Sequence, residues 1–195
     1  MKYVLRPPTL KKWTLHDTTQ VASFRVFRIE RHMAKDGEGE VRGDFFTFAC
    51  PDWCNVVAIT PERELVCIWQ YRFGTDAMSL EIPGGIVDPG ESPAQAAGRE
   101  LCEETGFVAE SMVPLVVVEP NPALQGNRCH SFLARGARAT GTRHFDEHEE
   151  IELVLIPLEA LSELLDQGHF THALVRSALE VFLRRETSFA RPSSS

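Results

Sequence analysis

Residues 92–106, "SPAQAAGRELCEETG", declare their own boundaries. Ser92 is a good N-cap, Pro93 suits the first helical position, and Gln95 completes a capping-box pattern. Gly106 suits the position just past a helix C-terminus. The pattern predicts a helix over 93–105, with Ala94, Ala97, Leu101 and Cys102 as a small, close-packing apolar side. The same helix carries Glu100, Glu103 and Glu104 within five residues. Side chains three and four apart share a helix face, and like charges at that spacing cost about 0.2–0.5 kcal/mol per pair. A helix that had only to be stable would place a lysine there. Either something positive sits against this face, or the face is simply solvated.

The loop that leads into the helix, "GGIVDPGES" at 84–92, is rich in glycine and ends at the N-cap. Glycine lets a backbone take unusual angles and lets a ligand approach closely. Carboxylates without imidazole or thiolate partners select hard cations, Mg²⁺ or Mn²⁺. Such a cation typically carries substrate phosphates in its remaining positions. Loop and helix together therefore point to phosphoryl or diphosphate transfer to water.

The formal charge is −8, which argues against a general affinity for nucleic acid. A polyphosphate would have to be met locally, by a few arginines or by metal ions. No apolar run approaches the ~18–20 residues of a membrane span. The start, "MKYVLRPPTLKKW", has no apolar core, so the expected setting is cytoplasmic with no membrane partner. The five cysteines, at 50, 54, 67, 102 and 129, are odd in number and irregularly spaced, which suits reduced thiols. "CPDWC" at 50–54 has no second pair to complete a zinc site.

Apolar alternation predicts strands over 22–31, 39–50, 55–60, 64–73, 79–85, 112–119, 129–135 and 151–157. Further helices are expected over 158–167 and 171–185, and the first 15 or so residues read as an arm. The division expected is 1–50 as N-terminal arm and strands, 51–186 as the main domain, and 187–195 as a polar tail.

The spacing Gly85, Glu91, Arg99-Glu100-Leu101, Glu103-Glu104, Gly106-Phe107 resembles the box of the Nudix hydrolase family, G-x5-E-x7-R-E-U-x-E-E-x-G-U with U apolar. Every constrained position matches. The resemblance implies an α/β fold, an α/β/α sandwich with a mixed sheet and a loop–helix–loop box. It implies Glu100, Glu103 and Glu104 as metal ligands, joined by the carbonyl of Gly84, with Mg²⁺ as cofactor and Mn²⁺ as the alternative. It implies that Arg99 positions nearby carboxylates, that Glu91 pairs with Arg99, and that Gly85 and Gly106 shape the backbone.

Outside the box, "WQYRFG" and "SLEIPGG" within 69–85 resemble the strand pair of ADP-ribose pyrophosphatases and related nucleotide-sugar hydrolases. There the equivalent of Arg72 contacts substrate, and Glu81 is expected to face the metal site. Pro122, fifteen residues after Phe107, matches a marker of the ADP-ribose subgroup. The run 145–161 resembles the segment that supplies a further glutamate, so Glu149, and next Glu147, are the expected general base, with Glu150 and His148 as alternatives. Arg128, with Asn121 and Asn127, is a candidate to read a ribose, sugar or phosphate. Trp13, Trp53 and Phe73 are unranked aromatic candidates for stacking on a base. The function implied is Mg²⁺-dependent hydrolysis of ADP-ribose or a related nucleoside diphosphate sugar, a small-molecule nucleotide substrate. The alternatives are a pyrophosphohydrolase of nucleoside triphosphates or RNA 5′ ends, and a nucleotide-sensing module without turnover. Relatives of this subgroup commonly form homodimers through N-terminal strands, which the alternating segments between 22 and 50 would suit.

Overall fold

The computed structural model describes residues 4–140 and 150–189. They form two compact units, the first made of the chain up to Cys50 plus Asn121–Gly126, the second of the remainder.

In the first unit, β1 (Thr14–Ser23), β2 (Arg28–Lys35) and β3 (Val41–Ala49) make an antiparallel sheet in that order. The turn between β2 and β3 is built on Asp36. Its carboxylate accepts the N–H groups of Glu38 and Glu40 at 2.9 and 3.0 Å and Nε of Arg42 at 2.7 Å. The strand expected over 22–31 is instead two strands. The chain reverses at 24–27, where Phe24 N–H reaches the Phe27 carbonyl at 2.9 Å and the two rings pack 5.1 Å apart. The stretch "SFRVFRI" breaks its apolar alternation only at the adjacent Val26 and Phe27 and lacks the glycine or proline that usually marks a turn. The stretch read as an arm likewise becomes strand from Thr14 onward.

The second unit is a mixed seven-stranded sheet. Its strands are β4 (Trp53–Ile59), β5 (Glu64–Arg72), β6 (Ala77–Glu81), β7 (Gly84–Ile86), β9 (Met112–Val118), β10 (Cys129–Arg135) and β12 (Ile151–Pro157). The small β8 (Phe107–Val108) and β11 (Arg138–Ala139) pair separately. The main path runs β12-β5-β4-β10-β9, with β6 beside β5 and β7 beside β4. β4 and β10 run parallel, and the other pairings are antiparallel.

β4 and β5 are nearly continuous apolar runs, as strands covered on both faces must be. Successive side chains point to opposite faces. Val56, Ala58 and Val66 therefore meet Ala96, Ala97 and Leu101 of the helix α1 (Pro93–Thr105). Val57, Ile59, Leu65 and Cys67 meet the other layer, where α2 (Leu161–Asp166) supplies Leu161 and Leu165. α3 (Ala173–Phe189) adds Val175, Leu179 and Phe182 to that layer. The result is the expected helix–sheet–helix sandwich.

α1 occupies the predicted span. Both halves of its capping box are formed, and Gly106 ends it at φ 72° in the left-handed region that favours glycine. The helix expected over 158–167 is a 3-10 turn followed by α2, and the last helix starts at Ala173 and runs to Phe189, into the stretch read as tail.

Candidate active site

β7 lies against β4 in the register Asn55 to Gly84 and Cys54 to Gly85, and α1 packs over both strands. A Cβ on Gly84 would stand 2.3 Å from the Cys54 carbonyl oxygen and 2.8 Å from Cα of Asn55. One on Gly85 would stand 2.3 Å from Oε1 of Glu100. The two glycines thus do different work. Gly84 lets two backbones meet, whereas Gly85 leaves a cradle that the Glu100 carboxylate fills.

Glu104, buried at 5% exposure, accepts the Gly84 N–H on Oε2 at 2.9 Å. The positive group that the glutamate face demanded is the helix's own Arg99. Its Nη1 donates to Glu100 Oε1 and to Glu103 Oε2, both at 2.9 Å. Nε and Nη2 grip the two oxygens of Glu91 at 3.2 Å, and Nη2 also donates to the Ile86 carbonyl at 3.0 Å. One planar guanidinium therefore joins three carboxylates and a strand end, which a lysine's point charge cannot do. Arg99 foremost holds the Glu91 carboxyl below the usual carboxylate range. In turn Glu91, followed by Glu100 and Glu103, pushes the guanidinium above its already high value despite burial.

Glu100, Glu103, Glu104 and the neighbouring backbone offer only oxygen donors, a set that fits a hard divalent cation. The Gly85 cradle, which keeps one of these carboxylates against the backbone, fits the same use. In this arrangement Glu100 and Glu103 face Arg99, and Glu104 faces the Gly84 amide. Among the described residues no three acidic, imidazole or thiol side chains close around a common point.

Glu81, at the end of β6 and 2% exposed, forms a two-pronged pair with Arg72 at the end of β5. Nε meets Oε1 at 2.7 Å and Nη2 meets Oε2 at 2.6 Å. Burial alone would raise Glu81, but the hydrogen bonds and charge of Arg72, with help from His172 and Ser79, hold it below the usual carboxylate range. A cavity of about 1080 Å³ opens beside this pair, with Gln70, Arg72, Ser79, Glu150, Thr171 and His172 in its wall. At its rim the exposed rings of Tyr71 and Phe73 pack edge to face, 5.1 Å apart.

The remaining candidates scatter. Arg128 is exposed; its backbone N–H donates to Asp52 Oδ1 at 2.8 Å, while Asp52 Oδ2 meets His130 Nε2 at 2.9 Å. Asn127 is buried and donates to the Pro51 carbonyl at 2.9 Å, a structural tie between chain segments. Asn121 and Pro122 are exposed and belong to the segment grouped with the first unit. Trp53 is half-buried on β4, and Trp13 packs on Phe45 in the first unit. Glu147, His148 and Glu149 lie outside the described residues. Sequence reasoning missed His172, which precedes α3 by one residue and follows no periodicity that would single it out.

The NUDIX domain family model matches residues 54–177. "ADP compounds hydrolase NudE" of Escherichia coli (strain K12) is 31% identical over 180 residues, covering 91% of this chain and 94% of that one. "ADP-ribose pyrophosphatase" of Bacillus subtilis (strain 168) is 29% identical over 137 residues, covering 70% and 74%. "Methanol dehydrogenase activator" of Bacillus methanolicus is 34% identical over 110 residues, covering 56% of this chain and 60% of that protein. The solved structure "Crystal structure of ADP compounds hydrolase" superposes with a TM-score of 0.82 at 28% identity, covering 95% of this chain and all of that chain.

Two predictions follow from the geometry. Gly84→Ala forces two backbones apart and lowers stability by about 1–3 kcal/mol, the usual range for overpacking. Gly85→Ala displaces only a side-chain tip and costs less. Urea denaturation of both variants checks this, and equal losses would refute it. The second concerns pH. Glu81 has a lowered folded-state pKa, so its contribution is present above the unfolded value of about 4.3 and is lost as pH falls through the lower folded value. Arg72→Met leaves Glu81 buried and unpaired, so the variant is less stable at pH 7, and the gap to wild type narrows towards pH 3. A gap independent of pH would refute the pairing.

Proposed function

We propose, on the premise that the chain belongs to the NUDIX domain family, that it hydrolyses the diphosphate bond of ADP-ribose or a related nucleoside diphosphate sugar. Family membership rests on the match over residues 54–177 and on 31% identity to a relative along nearly the whole length of both chains. The products are a nucleoside monophosphate and a sugar phosphate. The observation that carries the reading is the oxygen-only acidic face of α1, gathered by Arg99 against the glycine strand β7. The names borne by the E. coli and B. subtilis relatives support the substrate class.

Glu100, Glu103 and Glu104, with the Gly84 carbonyl, are the groups that would hold Mg²⁺, or Mn²⁺ in its place. A divalent cation there supplies charge neutralisation of the bridged phosphates and acidifies water. Arg99 keeps three like-charged side chains within one small volume and aligns them with the backbone of Ile86. Glu104, seated on the Gly84 amide, ties the helix to the strand whose carbonyl completes the donor set. Arg72 is half-exposed while gripping Glu81, so the face of its guanidinium turned to the cavity is placed to meet a phosphate. The role of general base remains with Glu149, and next Glu147, as the likeness to the subgroup implies. Arg128 and Pro122 stay as substrate-binding candidates on the same ground.

A homodimer through the β1–β3 sheet belongs to the same reading. Exposed Leu15, Val21, Val41, Phe45 and Phe46 on those strands support it. A cytoplasmic setting is supported by the five unpaired thiols, three of them buried.

The decisive experiment offers ADP-ribose, nucleoside diphosphate sugars, NADH, dinucleoside polyphosphates and nucleoside triphosphates with Mg²⁺ or Mn²⁺, and follows product release. Cleavage of ADP-ribose or a nucleotide sugar is expected to exceed the rest, and preference for triphosphates would overturn the reading. Glu104→Gln should lower kcat by about 10²–10³-fold, the scale for loss of one preorganised charge-stabilising group. Its circular dichroism should match wild type, and undiminished turnover would remove Glu104 from the site.

A further inference from the structure

The hairpin that joins β5 to β6 carries more apolar surface than a turn requires. Phe73 is 88% exposed, Met78 57% and Tyr71 42%. Tyr71 and Met78 are opposite partners in the β5–β6 register, so their side chains share one face. Phe73 packs against Tyr71 edge to face, the ring planes standing at 88°. A single exposed apolar side chain is ordinary, but three gathered on one hairpin mark a surface that a ligand or partner covers.

The turn holds these rings in place. Arg72 pairs with Ala77, which leaves residues 73–76 to reverse the chain. There the Thr75 N–H and the Thr75 hydroxyl both donate to the Arg72 carbonyl, at 3.2 and 3.3 Å. Asp76 takes a φ of 51°, in the left-handed region that aspartate tolerates better than most residues. Its carboxylate accepts the Tyr71 hydroxyl. That bond anchors the Tyr71 ring, and the Tyr71 ring supports Phe73. An aromatic surface already ordered in this way takes up a flat ligand with little further loss of conformational freedom.

Tyr71 and Phe73 also line the cavity of about 1080 Å³ that holds Arg72. A ligand there can therefore meet a guanidinium and an aromatic surface together. Among the parts of a nucleoside diphosphate sugar, the phosphates answer the cation, and only the base is flat and aromatic. We infer that Phe73, supported by Tyr71, is a substrate-binding residue whose ring stacks on the nucleobase. The inference rests on the reading of the protein as a nucleotide-sugar hydrolase and assigns the base of that substrate to this hairpin. Every base has a π face, so the stack selects a nucleotide over a bare sugar phosphate rather than one base over another.

The test compares wild type with Phe73→Ala and Phe73→Trp. Calorimetry with AMP, GMP, CMP and UMP first identifies the nucleoside monophosphate that wild type binds most tightly. Phe73→Ala is expected to weaken that nucleotide about tenfold, the scale of one aromatic–base stack, and to leave ribose 5-phosphate unchanged. For the substrate that wild type cleaves best, KM should rise by a similar factor while kcat changes less than about threefold. Phe73→Trp is expected to bind the nucleotide at least as tightly as wild type, and its added indole fluorescence should be quenched as the nucleotide saturates. The Phe73 ring is almost wholly exposed, so the melting temperature of Phe73→Ala should match that of wild type. Unchanged nucleotide affinity in Phe73→Ala, equal weakening of ribose 5-phosphate, or no quenching in Phe73→Trp would overturn the inference. Altered sedimentation of Phe73→Ala with nucleotide affinity kept would make the hairpin an interface between copies, and would overturn it too. If wild type cleaves nothing on the panel, the functional reading fails by itself. The calorimetry still decides Phe73: a nucleotide bound by wild type and weakened in Phe73→Ala supports it, and no nucleotide bound by wild type overturns it.

Discussion

One guanidinium organises the candidate site. Glu91, Glu100 and Glu103 would repel one another if brought together alone, and their separation in water would be cheap to maintain. Arg99 reverses that balance because its fork presents several donors in fixed directions, and it spends them on three carboxylates and on the Ile86 carbonyl. The acidic face thus becomes a feature the fold can keep, and the strand β7 is drawn onto α1 by the same group. Gly84 and Gly85 are the counterpart on the strand side. They remove the Cβ atoms that would otherwise hold the backbone and the Glu100 carboxylate apart.

A second ion pair repeats the logic under different conditions. Glu81 is almost wholly buried and Arg72 is not, so the pair straddles the boundary between sheet and cavity. A buried carboxylate left alone would take up a proton. With Arg72 in place it stays charged, and the arginine is held at the cavity wall with part of its surface turned outward. The two readings of Arg72, as an ion-pair partner and as a phosphate clamp, are therefore compatible: the first sets the geometry the second would need.

What was legible in the sequence divides along the range of the interactions concerned. α1 is specified by local chemistry, a capping box at one end and a left-handed glycine at the other, and the structure places it at the expected residues. The pairing of Glu91 with Arg99 was legible from the likeness of the box to a known pattern. The reversal at 24–27 was not, because two phenylalanines close that turn without a glycine or proline and the only local sign is the adjacent apolar pair Val26 and Phe27. The grip of Arg72 on Glu81 depends on β5 and β6 pairing in register, with Gln70 opposite Ser79, a non-local fact. His172 had no local signal at all. Its place in the cavity wall becomes visible only when the residues before α3 stand beside β5 and β6.

That contrast bears on how the two halves of the proposed substrate would be read. The groups proposed to meet the diphosphate come from a contiguous stretch of chain, strand, loop and helix, so they travel together and make a recognisable pattern. The cavity beside Arg72 is assembled from β5, β6, the start of β12 and the residues before α3. Each contributes one or two polar side chains that themselves stand outside the core layers built on Val57, Leu65 and Leu179. A fold divided in this way can keep one chemistry at the helix and change its preferred leaving moiety by substitutions at the cavity wall.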